Sequence, residues 1–161
     1  MQPSRKPRPR GTPPTSRTIS LNALEFVLRK GRTLGESLES QPAFAALAGR
    51  DRGFTRLLLL TTLRRLGQID AAIDSLLDKP LPARRSAVRD ILRLGAAQLL
   101  FLGTPPHAAV DGAVRQTAQS RHAALKGLVN ALLRRLGREG TTLLAAQDAA
   151  RLNTADWLWQ S

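Results

Sequence analysis

The chain has 161 residues, with 25 lysines and arginines against 12 acids, 42% hydrophobic residues and no cysteine. That length makes one domain the simplest reading and is enough to bury a real core. The missing cysteines exclude disulfides, zinc–thiolate sites and a cysteine nucleophile in this chain.

Charge is the strongest bulk signal. Of the 25 basic residues 21 are arginine, whose planar fork matches phosphate, so the formal charge of +13 points to a nucleic-acid partner. Residues 1–17, MQPSRKPRPRGTPPTSR, hold five of the ten prolines and five basic residues with no acid. This composition makes neither helix nor core, and it reads as a flexible basic arm carrying Arg5, Lys6, Arg8, Arg10 and Arg17. The remaining 144 residues keep a charge of +8, from twenty basic and twelve acidic residues.

From Thr18 the pattern is helical. Ile19, Ala23, Phe26 and Val27 form the stripe of a first helix stopped near Gly31. Short helices are expected at 33–39 and 42–48, a long one at 50–67 with Asp51 at its positive end, and another at 68–78 closed by Pro80 and Pro82. Residues 84–102 place Val88, Ile91, Leu92, Gly95, Leu99 and Leu102 on one face and Arg85, Arg89 and Arg93 on the other. TPPH then breaks the chain, and helices at 106–120 and 122–138 complete the domain, with GREG at 137–140 ending the last. No period-two strand pattern appears, so the fold class is all-α, a bundle of about seven helices spanning 18–140, followed by a tail or linker at 141–161.

Little in this chain looks catalytic. His107 and His122 are isolated, the first read as a capping or loop-packing residue and the second as a surface one. Asp70, Asp74 and Asp78 share i,i+4 spacing, which reads as a solvated face and not as a metal site. The chain alone is therefore not expected to be an enzyme, to bind a metal or to hold a cofactor. The longest nearly apolar stretch, 94–103, falls far short of the ~20 residues of a membrane span. No hydrophobic signal region follows the basic start, which points to the cytoplasm. The basic groups are the better lead. Besides the arm, the candidate RNA contacts are Arg50, Arg52, Arg56, Arg64, Arg65, Lys126, Arg134 and Arg135, and Arg84, Arg85, Arg89, Arg93 and Arg138 add further basic faces.

Several stretches taken in order resemble the NusB family. RTISLNALEFVL is similar to its opening helix, matching at Arg17, Ala23 and Leu24. RDRGFTRLLLLTTLRRLGQIDAAIDSLL and AVRDILRLGAAQLLFLGTPPHAAVDGAV resemble its second and third blocks, and KGLVNALLRRL its Phe-Val-Asn-x-x-Leu helix, with Leu128 for the usual Phe. Leu133, Arg134 and Arg135 match the Leu-Arg-Arg carried by the N-terminal domains of bacterial small-subunit rRNA cytosine-5 methyltransferases. NTADWLWQS resembles the entry into the linker of those enzymes.

The resemblance implies an RNA-binding domain that targets a ribosomal RNA methyltransferase, non-catalytic by itself, a monomer or weak dimer. S-adenosylmethionine and a catalytic cysteine would then belong to a separate catalytic domain, which is also a possible partner. The alternative is a free antitermination factor that binds leader RNA and a small ribosomal protein. A third reading is a helical protein-interaction module. Within KGLVNALLRRL, Asn130 shares a face with core residues. It is expected to be buried and to staple the backbone of 103–107, where two prolines leave carbonyls unpaired.

Overall fold

A computed structural model describes residues 15–161. Arg5, Lys6, Arg8 and Arg10, with the mobility expected of the arm around them, lie outside the described residues. Helix α1 (Ser16–Lys30) starts earlier than its apolar stripe, because the Thr15 hydroxyl accepts from the Thr18 amide at 3.3 Å and caps it. Arg17 therefore sits in the first turn of a helix and not in the arm. It is half-buried, donates weakly to the Ala108 carbonyl at 3.4 Å, and lies so close to Gly112 that a Cβ there would overlap it. Gly31, at φ +64°, ends the helix in the left-handed conformation that glycine adopts without strain.

Short helices α2 (Leu34–Glu39) and α3 (Pro42–Ala46) lead into α4 (Gly49–Arg64), and only Arg65 separates that from α5 (Leu66–Leu76). A 3-10 turn at Ala83–Arg85 opens α6 (Ser86–Leu100); α7 (Pro106–Ala118) returns, and a second 3-10 turn at Ala123–Leu125 opens α8 (Lys126–Ala145). Two single turns, α9 (Ala149–Leu152) and α10 (Asp156–Trp159), end the chain. The fold is all-α, with no strand among the described residues. There are more segments than the seven expected, because α2, α3, α9 and α10 are only four to six residues each.

Helix α6 is the axis of the bundle, packed by α1, α4, α5, α7 and α8. Val88, Ile91, Leu92, Leu94, Ala96 and Ala97 on it are at most 1% exposed. Each larger aliphatic among them contributes roughly 1.5–3 kcal/mol by burial. Gly95 lets α8 approach, since a Cβ there would lie 2.8 Å from Leu133 Cδ1. Further along, Gly137 faces Leu99 and Gly140 faces Leu100, so the two helices run parallel. GREG thus lies inside α8 and does not end it. Glycine costs a helix interior about 1 kcal/mol, but a Cβ at the buried Gly140 would overlap the Leu100 Cδ2 methyl, so a side chain there requires Leu100 to move.

Ionic contacts bind this axis to its neighbours. Asp90, on α6, has a fully buried side chain that accepts from Arg29 of α1 and, at 3.0 Å, from Arg93. Arg93 also forks onto Asp70 of α5 through two 2.8 Å bonds, and Arg89 reaches Asp70 at 3.4 Å and Asp74 at 2.6 Å. Burial opposes the charge of Arg93, but bonds and attraction to Asp70 and Asp90 outweigh it and hold its pKa above the ordinary value. The α5 carboxylates are therefore not a merely solvated face: Asp70 and Asp74 neutralise the arginine stripe of α6.

The stretch after residue 140 is no free tail as far as Asn153. Asn153 and Gln68 exchange hydrogen bonds of 3.1 Å (Gln68 backbone amide to Asn153 Oδ1) and 2.8 Å (Asn153 Nδ2 to Gln68 Oε1), and Gln147 donates to the Gln68 carbonyl at 3.1 Å. Gly67 makes room for this, because a Cβ there would overlap the Leu152 carbonyl. Beyond it, Trp157 and Trp159 are 76% and 48% exposed.

Replacing Asp90 by alanine removes the acceptor that joins Arg29 to Arg93 and leaves Arg93 with Asp70 alone. Because no buried charge is left unpaired, urea denaturation of Asp90→Ala should show the loss of charge-assisted hydrogen bonds, about 1.5–3 kcal/mol, while Asp74→Ala, at an exposed pair, shows under about 1 kcal/mol.

Candidate nucleic-acid interface

The structure sorts the basic residues into engaged and free. On α4, Arg52 turns back to donate to the Leu47 and Ala45 carbonyls, closing α3. The Arg56 guanidinium lies 5.0 Å from the centre of the Phe44 ring, and Arg65 lies over Phe101 while donating to Gln68 Oε1 at 3.3 Å. Arg50 and Arg64 are exposed with no side-chain partner among the described residues, but α4 separates Arg50 and Arg65 by roughly 22 Å. This expected cluster does not converge. Arg135 is spent on Glu139, one turn on, at 2.6 Å.

Asn130 is only half-buried and makes no side-chain hydrogen bond to 103–107. Its Oδ1 instead accepts from Arg134 Nε at 3.1 Å. The loop does without a staple: Leu102 and Thr104 amides donate to the Ala97 and Gln98 carbonyls at 3.2 Å each, across Gly103 at φ +63°. The expectation of a buried amide failed because a helical stripe gives a direction and not a depth.

Convergence occurs elsewhere. Because α6 and α8 are parallel, their amino ends lie at one end of the bundle, and each is preceded by a 3-10 turn. Neither helix start has a side-chain cap or an acidic residue in its first turn. The 3-10 turns engage the first amides, Ser86 donating to the Ala83 carbonyl and Lys126 to that of Ala123, and the two helix dipoles present positive potential at the same corner. Arg84 and Arg85 belong to the first turn, Arg121 and His122 flank the second, and Lys126 begins α8. Leu125 and Leu128 line a groove there with Leu76, Leu81 and Arg84, with Asp78 and Lys79 at its rim.

His122 belongs to the interior of that corner and not to the surface. The residue is 9% exposed, its amide donates to Ser120 Oγ at 3.0 Å, and its Nε2 is buried without a hydrogen-bond partner among the described residues. Burial, then Arg121 and Arg85, push its pKa below the ordinary 6.5. Sequence reasoning placed Lys126 in the site but missed His122 and Arg121, whose signal, adjacency to a helix start, becomes meaningful only once two starts are seen side by side. His107, at the start of α7, is exposed, with no side-chain hydrogen bond among the described residues.

A bundle wound about a central helix, with the ordered blocks of the sequence on α1, α4–α6 and α8, defines an all-helical domain of the NusB kind. The chain belongs to the NusB family, whose model matches residues 14–138. It is also similar to proteins of Salmonella typhi, Salmonella enteritidis and Salmonella paratyphi A, each named ribosomal RNA small subunit methyltransferase B. Identity is 32% over 145 residues, which is 88% of this chain and 33% of each relative. The chain thus spans about a third of the length of the curated relatives it matches.

The lowered pKa of His122 gives a signed prediction. The folded protein resists a proton that the unfolded chain accepts, so this contribution to stability is complete above pH about 6.5 and is lost as pH falls through that value towards the folded pKa. Urea midpoints measured from pH 7.5 to 5.5 should fall more steeply for the wild type than for His122→Gln.

Proposed function

We propose that this domain holds single-stranded RNA by its phosphates at the amino-terminal corner of α6 and α8, and that it brings a ribosomal RNA methyltransferase to its substrate. The observation that carries the first part is the corner itself: two helix starts without side-chain caps and four cationic side chains on one surface, with the buried His122 imidazole beneath them. Phosphate is the chemistry such a corner recognises, since helix dipoles and arginine forks act together on it. The names of the relatives support the second part and favour it over antitermination. Catalysis belongs, on this reading, to a separate domain that supplies S-adenosylmethionine chemistry. This chain has no cysteine, and we assign it no step of the transfer. No helix among the described residues is long and apolar enough to cross a membrane, and a cytoplasmic site of action fits an rRNA substrate.

The arm extends the footprint with Arg5, Lys6, Arg8 and Arg10. Each phosphate neutralised on single-stranded RNA contributes about −0.7 to the log–log salt slope. Converting Arg84, Arg85, Arg121 and Lys126 together to glutamine should therefore flatten the slope by up to about 3 units. The control Arg50→Gln/Arg64→Gln should change it much less. An unchanged slope in the fourfold variant, measured by salt titration of oligonucleotide binding, would place the RNA elsewhere.

A further inference from the structure

Between α7 and α8 lies a cleft of about 330 Å³ that the phosphate corner does not include. Its apolar floor is Val110 and Leu133, 4% and 0% exposed, and Gly137 leaves the floor open by having no side chain. Arg134 and Arg138, one turn apart on α8, stand on one wall, and Asp111 stands across from them on α7. Asn130 accepts from Arg134 Nε, so the two terminal amines of that fork remain unclaimed among the described residues. The volume is at the small end of ligand pockets, which suits one planar ring with its phosphate.

We propose that this cleft takes one unstacked nucleobase of the bound RNA strand, one bearing an exocyclic amino group, with Asn130 as the positioning residue that aims Arg134 at the neighbouring phosphate. The inference rests on the RNA-binding reading above. Each part of the cleft matches one part of a nucleotide: apolar floor to ring face, arginine fork to phosphate, carboxylate to amino group. A carboxylate acceptor pairs with the amino group of cytosine, adenine or guanine and meets only oxygen at O4 of uracil. Single-stranded RNA is commonly read in this way, by bases splayed out of the stack. An acidic peptide fits less well, because it offers no planar ring to the apolar floor and no donor to Asp111 beside its charge. Arg134 lies eight residues along α8 from Lys126, or ~12 Å at the helical rise. A strand held at the corner reaches it, since each nucleotide advances at least ~3.4 Å.

Oligo(C) and oligo(U) of equal length differ at the group Asp111 would read, so they are the probes, at pH 7.5 with the full chain. The wild type should bind oligo(C) roughly tenfold more tightly, the discrimination one good base contact provides. Asp111→Asn should bring the ratio close to one, because an amide both donates and accepts. Gly137→Leu should do the same by filling the floor. A Cβ at Gly137 meets Leu99 at an ordinary 3.9 Å, and leucine favours the helix, so this variant should remain folded. The salt slope should stay unchanged in both variants. Equal affinities in the wild type, or a preference that survives Gly137→Leu with the salt slope intact, would overturn the cleft assignment and leave the phosphate corner standing. Absence of salt-dependent binding to either RNA would overturn both.

Discussion

A carboxylate with no access to water sets the terms for this fold. Asp90 is fully buried on the central helix, and a buried charge is tolerated only when it is paired and hydrogen-bonded. Arg29 reaches it from α1 and Arg93 from one turn along α6, and Arg93 passes the connection to Asp70 on α5. Apolar packing alone would let α6 slide or rotate against α1 and α5 at small cost, because aliphatic contacts are non-directional. The arginine forks remove that freedom, since each demands a particular angle and distance. The start of α6 is thereby placed, and with it one half of the corner proposed to hold phosphate.

The other half depends on small residues. Gly95 on α6 and Gly140 on α8 let two parallel helices approach more closely than side chains would permit, with Leu133 and Leu100 filling the space so created. Parallel neighbours carry an electrostatic penalty, because like dipole ends lie together. Here that penalty coincides with an excess of cations, no acid in either first turn and Asp78 as the one carboxylate lining the groove, so the corner keeps a net positive potential. A site that stores unfavourable potential in the free protein is suited to binding anions, because the ligand relieves it. The same logic separates the arginines of α6 and of the turn before it: Arg89 and Arg93 are neutralised by α5 carboxylates and serve the fold, whereas Arg84 and Arg85 have no ion-pair partner among the described residues.

Much of this architecture was legible in the residues. The apolar stripes placed the helical regions, and Gly31 and the prolines at 80, 82, 105 and 106 marked real breaks. Periodicity failed where packing overrode it, as at Gly140, where close approach outweighs helix propensity. It also gave no depth: Asn130 lies on the apolar side of α8 yet remains near the surface and serves Arg134. Charge was informative in total but not in place. Arg17 and Arg52 resemble free surface cations in the sequence, and the structure applies both to packing and capping, while Arg121 and His122 looked unremarkable and lie at the corner. Which cations remain free is a property of tertiary neighbours, and no local pattern reports those.

The central claim is that the amino ends of α6 and α8 form one phosphate-binding surface. The most direct test is to titrate single-stranded RNA into isotopically labelled protein and follow backbone amides by NMR. Shifts concentrated at 83–87 and 121–128, accompanied by a rise in the pKa of His122 as bound phosphate offsets Arg121 and Arg85, are the result expected. Shifts confined to α4, or to the exposed indoles of α10, with His122 unmoved, would contradict the account.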